Sequence, residues 1–200
     1  MIEQVGEAWR KLMGLVDDLE AQRELDASYR SLCGLDRQSA EHLDIQTLRE
    51  LLTEERLLAL SELTYLRAER FGGKMDPDAL SALYIRALTL LSGIEEEEIA
   101  ALRKDRALEL MEKAGDDVPV ETAADTIRFL SLGGAFADAE DLLFRQLDRW
   151  QKGRAPAPLL AAGRAFYAHL DAQSDAALEK GNLHRAELAQ GKVALSAWDH

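Results

Sequence analysis

One short phrase occurs twice in this 200-residue chain and constrains its fold more than any other feature. It reads Gly134-Ala135-Phe136-Ala137-Asp138-Ala139-Glu140, then Gly181-Asn182-Leu183-His184-Arg185-Ala186-Glu187. Each is Gly, any residue, a large apolar residue, two more residues and Ala-Glu, and each runs into a stretch of helical periodicity. Between antiparallel helices, Gly closes the turn and the large residue anchors the next helix. The small Ala then lets the two backbones approach closely. The phrase specifies tandem helical hairpins and contains no catalytic chemistry.

The rest of the chain agrees with helix. Leu, Ala, Glu and Arg dominate, and no segment of four to eight residues combines alternation with Val, Ile and Thr enrichment. The spacing predicts about ten helices in an all-α fold. The first covers 2–18, with Val5, Trp9, Leu12, Val16 and Leu19 as its stripe. A second covers 21–33, with Leu25, Tyr29 and Leu32 on one face and Gly34 at its end. Helices follow at 45–52 and 55–71, the latter stopped by Gly72-Gly73. Asp76-Pro77-Asp78 supplies an N-cap, a proline at the first helical position and an acid at the positive helix end. That helix ends at Gly93, and Glu95-Glu96-Glu97-Glu98 opens the next, to about 113. A turn at 115–119 precedes helical residues 124–130 and the first phrase, with Ala139, Leu143 and Leu147 at spacing four in a helix over 136–150. The clearest linker is 152–158. Helices at 159–180 and 183–198 complete a final hairpin. The expectation is one helical-repeat domain over 1–200, with N-terminal hairpins in 1–75, middle hairpins in 76–151 and a C-terminal hairpin in 159–200.

The doubled phrase resembles the second half of a tetratricopeptide repeat, where Gly sits at the intra-repeat turn and Ala packs between helices. The preceding helices, near 122–131 and 168–175, lack the Trp, the Leu-Gly pair and the Tyr of that repeat, so the repeats are degenerate. The 47-residue interval from Gly134 to Gly181 also exceeds the usual unit of about 34 residues, much of the excess lying in the linker. The whole chain is similar to an uncharacterised family of bacterial helical proteins with tetratricopeptide-like folds. The resemblance rests on Met1-Ile2-Glu3-Gln4, Leu32-Cys33-Gly34-Leu35-Asp36, the run 48–66, and Asp76-Pro77-Asp78-Ala79-Leu80. It implies a short α-solenoid of stacked antiparallel hairpins and a bacterial cytoplasmic setting. It supplies no functional residues.

Charge and composition narrow the partners. The net charge of -13 disfavours nucleic acid and anionic membrane surfaces, which require clustered Lys and Arg. Cys33 is the single cysteine, which excludes an internal disulfide and fits a reducing compartment. Acids at Glu3, Glu7, Asp17, Asp18 and Glu20 mark the opening segment as an amphipathic helix rather than a signal peptide. No apolar run approaches the roughly 18 residues that span a bilayer. The expected location is the cytoplasm.

Residues able to carry chemistry do not fall at the spacings chemistry needs. His42, His169, His184 and His200 lack the His-x-x-x-His or Glu-x-x-His spacing that aims two ligands at one point, so no metal site is expected. His42, His169 and His184 read as exposed or capping, and His200 as a disordered terminus. Cys33 reads as a small core residue beside the Gly34 turn. Gly191-Lys192 has no upstream glycine at Walker spacing and is not a phosphate loop. Glu95 to Glu98 point in four directions, a poor cage for a cation, and favour the helix dipole and solubility instead. Trp9, Trp150 and Trp198 are read as core residues. Trp198 is singled out as a possible interface anchor, because a terminal repeat helix has an outer face to cover.

The functional expectation is a noncatalytic protein-protein interaction or scaffold module, without cofactor, metal or catalytic residues, binding a protein or peptide and able to form a homodimer. The alternative is a helical small-ligand sensor or enzyme with a site assembled from distant residues, for which Arg164, Tyr167, His169 and Asp171 on one helix are the candidates.

Overall fold

A computed structural model describes residues 2–151 and 153–198. Met1 of the opening segment, Lys152 of the linker and the terminal His200 lie outside the described residues. Twelve α-helices and no strand occur among the described residues, two helices more than the periodicity suggests. They fall into two compact units: residues 1–94 with 110–117, and residues 95–109 with 118–200.

The first unit contains α1 (Ile2–Gly14), α2 (Asp18–Ser28), α3 (Arg37–His42), α4 (Ile45–Leu51), α5 (Glu54–Phe71) and α6 (Pro77–Ser92). It also takes in the last residues of α7 (Glu97–Ala114). Its centre is α5, which is buried around its whole circumference from Leu57 to Leu66. A helix apolar on every side needs neighbours on every side; α1, α2, α4 and α6 supply them. Two buried hydroxyls on α5 have partners. Ser61 Oγ donates to the Ala87 carbonyl of α6 at 2.8 Å, and Thr64 Oγ1 donates to Leu60 O at 2.7 Å. Trp9 stacks on Tyr65 with ring centroids 5.6 Å apart. Lys113 lies over the rings of Tyr65 and Tyr84 and pairs with Glu69 at 2.5 Å.

Several expectations in this unit are overturned. The first helix stops at Gly14 instead of continuing to residue 18, because Asp17 caps a new helix and accepts from the Leu19 and Glu20 amides. Val16 and Leu19, read as part of the buried stripe, are 97% and 69% exposed. Residues 37–42 form α3, which periodicity did not reveal. Asp36 accepts from the Ser39 amide at 2.9 Å and from its hydroxyl at 2.6 Å, and Asp44 repeats the arrangement with Thr47 for α4. The carbonyls at the far end of α3 are met by Arg86, whose guanidinium donates to Ala40 O at 2.6 Å and Leu43 O at 2.7 Å. The end of the second helix also differs, as Tyr29–Cys33 winds into a π-helical turn.

The second unit contains residues 97–109 of α7, then α8 (Val120–Leu132), α9 (Phe136–Leu147), α10 (Ala157–Asp171), α11 (Asp175–Lys180) and α12 (Arg185–Ser196). The predicted helix over 159–180 is two helices, broken where Ser174 accepts from the Ala177 amide and caps α11. Helix α10 packs against α8, α9 and α12. Gly163 makes this possible: a Cβ there would sit 3.0 Å from both Leu143 of α9 and Leu195 of α12. Trp198, singled out as an outward anchor, is 7% exposed, whereas Trp150, read as core, is 43% exposed.

The doubled phrase forms two copies of one turn, out of register with the sequence match. The amides of Gly134 and Ala135 bond Ser131 O and Leu130 O, and those of Asn182 and Leu183 bond Glu179 O and Leu178 O. Both are Schellman caps, with Gly134 at φ 74° and Asn182 at φ 56° as the left-handed residues. The structural partner of Gly181 is therefore Gly133, one residue before the glycine the phrase aligns with it. As a result Ala139 is buried at the fourth position of α9, while Ala186 falls at the second position of α12 and is exposed. The expected close-packing role holds for Ala139 and fails for Ala186; Leu188 is buried at the fourth position of α12 instead. The two turns also touch. The Ala137 amide donates to Gly181 O at 3.0 Å, and a Cβ on Gly181 would meet the Phe136 ring and lie 2.8 Å from Gly134 O.

Candidate functional site

Beside the first of these turns the second unit opens a groove of about 430 Å³. One wall is the start of α7, with Lys104; another is the α8–α9 turn; α10 and α11 bring His169 and Lys180. The turn can lie this close to α7 because residue 133 is glycine: a Cβ there would be 2.6 Å from Ala100 O. His169 stands 6.1 Å from the Phe136 ring, and its Nε2 is 3.1 Å from the Gln173 amide nitrogen. Past His169 a smaller hollow of about 120 Å³ is floored by Phe166 and Leu132, with Arg128 at its edge.

The electrostatics of the groove depart from those of the chain. Lys11, Lys74, Lys113 and Lys192 each pair with a carboxylate. Among the described residues Lys104 and Lys180 form no ion pair, and both line the groove. Glu97 is the one carboxylate lining it. Set against Glu97, the two ammonium groups leave the groove lining with one net positive charge on a protein of charge -13.

The candidates on α10 diverge. Only His169 faces the groove. Asp171 pairs with Lys192 at 2.5 Å, and Arg164 is exposed. Tyr167 points the other way and donates to Glu140 Oε1 at 2.6 Å. Gly191 of α12 covers that bond, since a Cβ there would overlap both Tyr167 Oη and Glu140 Oε1. The glycine before Lys192 thus serves close packing. Burial, with the neighbouring Glu140, pushes the Tyr167 hydroxyl far above its ordinary range. Burial likewise raises the Glu140 carboxyl, against the hydrogen bond from Tyr167 that lowers it. The folded state therefore holds this proton more tightly than the unfolded chain. Its contribution to stability is fully present below the unfolded glutamate pKa and is lost as pH rises through the higher folded value. Glu140→Gln keeps the acceptor oxygen and removes the charge. It should raise the urea midpoint at neutral pH and leave it unchanged near pH 4, the range where an ordinary glutamate titrates. An equal gain at both pH values would contradict this assignment.

The remaining candidates have local explanations. His42 Nδ1 lies 2.8 Å from Gln38 O, and the His184 amide donates to Glu187 at 2.8 Å, both at helix ends. Cys33 is fully buried, and burial pushes its thiol up to about 12, which suppresses the thiolate. Glu95 to Glu98 are exposed, and no group of His, Cys, Asp and Glu among the described residues is placed to hold a metal ion. No helix there is long and apolar enough to cross a membrane.

The profile of a family of unknown function, DUF6483, matches residues 1–197. The chain belongs to that family. No curated protein and no solved structure matches it. The DUF6483 assignment covers both compact units, so the groove in the second unit lies within the family's own domain.

Sequence reasoning reached His169 and passed over Lys104 and Lys180. A signal existed, since neither lysine has an acid three or four residues away with which to pair along its helix. Lys192 shares that property, and the fold gives it Asp171. The unpaired state is visible only once the helices are placed.

Proposed function

We propose that this DUF6483 protein is a noncatalytic interaction module of the bacterial cytoplasm, built from degenerate tetratricopeptide-like hairpins, and that the groove of its second unit receives a segment of another protein. The observation that carries the reading is the groove itself: an open cleft over a helical turn, with unpaired ammonium groups beside an apolar hollow. Such mixed surfaces suit recognition of a chain segment, with the hollow fixing one side chain and the charges setting orientation. His169 Nε2 lies 3.1 Å from the Gln173 amide nitrogen, which supports a role for the histidine in shaping the groove wall.

Photocrosslinking tests the reading. A benzoylphenylalanine at Ala177, on the groove wall, should yield adducts with a discrete protein in cells that express the chain. The same probe at Val193, 73% exposed on α12 and outside the groove lining, should not. Identical adducts from both positions, or none from Ala177, would contradict it.

A further inference from the structure

The chemistry of the groove also selects its occupant. Lys104 and Lys180 face the cavity without carboxylate partners, while the other described lysines are neutralised. A partner carboxylate would supply the missing half of each pair; Lys104 is half-buried and Lys180 is exposed, so the stronger of the two pairs forms at Lys104. The adjoining hollow of about 120 Å³ is floored by Phe166 and Leu132 and walled by Ala162 and Ala165, room for one apolar side chain. From these complementarities we infer that the groove recognises an acidic protein segment, two of its carboxylates on Lys104 and Lys180 and one leucine- or phenylalanine-sized side chain in the hollow beside Phe166.

The inference rests on the interaction-module reading and names the partner's chemistry. A nucleic acid fits less well: it needs a track of clustered Lys and Arg where the groove offers two lysines, and it has no aliphatic side chain for the hollow. A free dicarboxylate would satisfy the lysines and leave the apolar hollow unfilled.

The test is an array of capped octapeptides in which the number of acids and the position of a single Leu or Phe are varied, probed with the full chain. The expected result is retention only on peptides with at least two acids and one large apolar residue. Retention should fall at least tenfold for the Lys104→Glu/Lys180→Glu double variant at an unchanged melting temperature. If that variant does not fold, Lys104→Ala/Lys180→Ala gives the same readout. Retention on acid-free peptides, or equal retention of the double variant, overturns the acidic occupant and leaves the module reading standing. Failure to retain any peptide overturns both. Full competition by N-acetylglutamate assigns the site to a free small acid, and full competition by single-stranded DNA to nucleic acid; either overturns the inference.

Discussion

Gly133→Ala should destabilise the protein by about 3 kcal/mol, the upper end of what overpacking usually costs. The added methyl would lie 2.6 Å from Ala100 O and 2.8 Å from Ala100 C. Those atoms belong to the α7 backbone and cannot rotate away as a side-chain tip could. The backbone angle at this position, φ -77°, is one alanine adopts without strain, so the cost comes from the clash alone. For a chain of this size the melting temperature should fall by roughly 6–12 °C. Gly6→Ala is the control. It lies within α1, its Cβ would meet nothing within 4 Å, and it should gain about 0.5–1 kcal/mol from helix propensity. The same chemical change thus has opposite signs at the two positions. A melting temperature for Gly133→Ala at or above the wild-type value would contradict the placement of the turn against α7.

Gly191→Ala should cost a similar amount, about 2–3 kcal/mol, by a different route. Its methyl would overlap the Tyr167 hydroxyl and Glu140 Oε1, so either α12 moves outward or the 2.6 Å hydrogen bond breaks. A broken bond would leave a half-buried carboxylate without its donor. Tyr167→Phe removes the hydroxyl in advance. The double variant Gly191→Ala/Tyr167→Phe should therefore lose less stability than the sum of the single variants, with a coupling of about 1 kcal/mol or more. Urea midpoints for the wild type, both single variants and the double variant measure that coupling. Strict additivity would show that Gly191 and the Tyr167–Glu140 pair do not share the space the structure gives them.

These glycines show how the sequence can point to a feature and mislead about its register. The phrase match aligned Gly134 with Gly181, yet the hydrogen bonds align Gly133 with Gly181. Only Gly134 satisfies the pattern, and only the backbone shows that its counterpart in the left-handed conformation is Asn182 rather than Gly181. Elsewhere strong punctuation made the reading secure. Asp76-Pro77 opens α6 and Gly93 closes it, and α5 runs to Phe71 ahead of Gly72-Gly73. Where punctuation was weaker the reading ran elements together. The caps at Asp17 and Ser174 each start a new helix inside what periodicity treats as one, because the apolar spacing continues across the break. Asp36-x-x-Ser39 was a legible signal for the short helix α3, which amphipathic periodicity does not detect, while the same signal at Asp44-x-x-Thr47 opens α4 where the periodicity places a helix. The groove was least accessible of all. Its walls combine α7, a turn, α10 and α11, and no local pattern links Lys104 to Lys180.

The central claim is that the second unit's groove is the recognition surface, and the charge of its unpaired lysines tests it most directly. The measurement is crosslink yield from the Ala177 probe in the wild type and in the Lys104→Glu/Lys180→Glu variant, with melting temperatures recorded on both proteins. The expected result is loss of the adduct at an unchanged melting temperature. An adduct that survives charge reversal, or that disappears only when the protein also unfolds, would contradict the account.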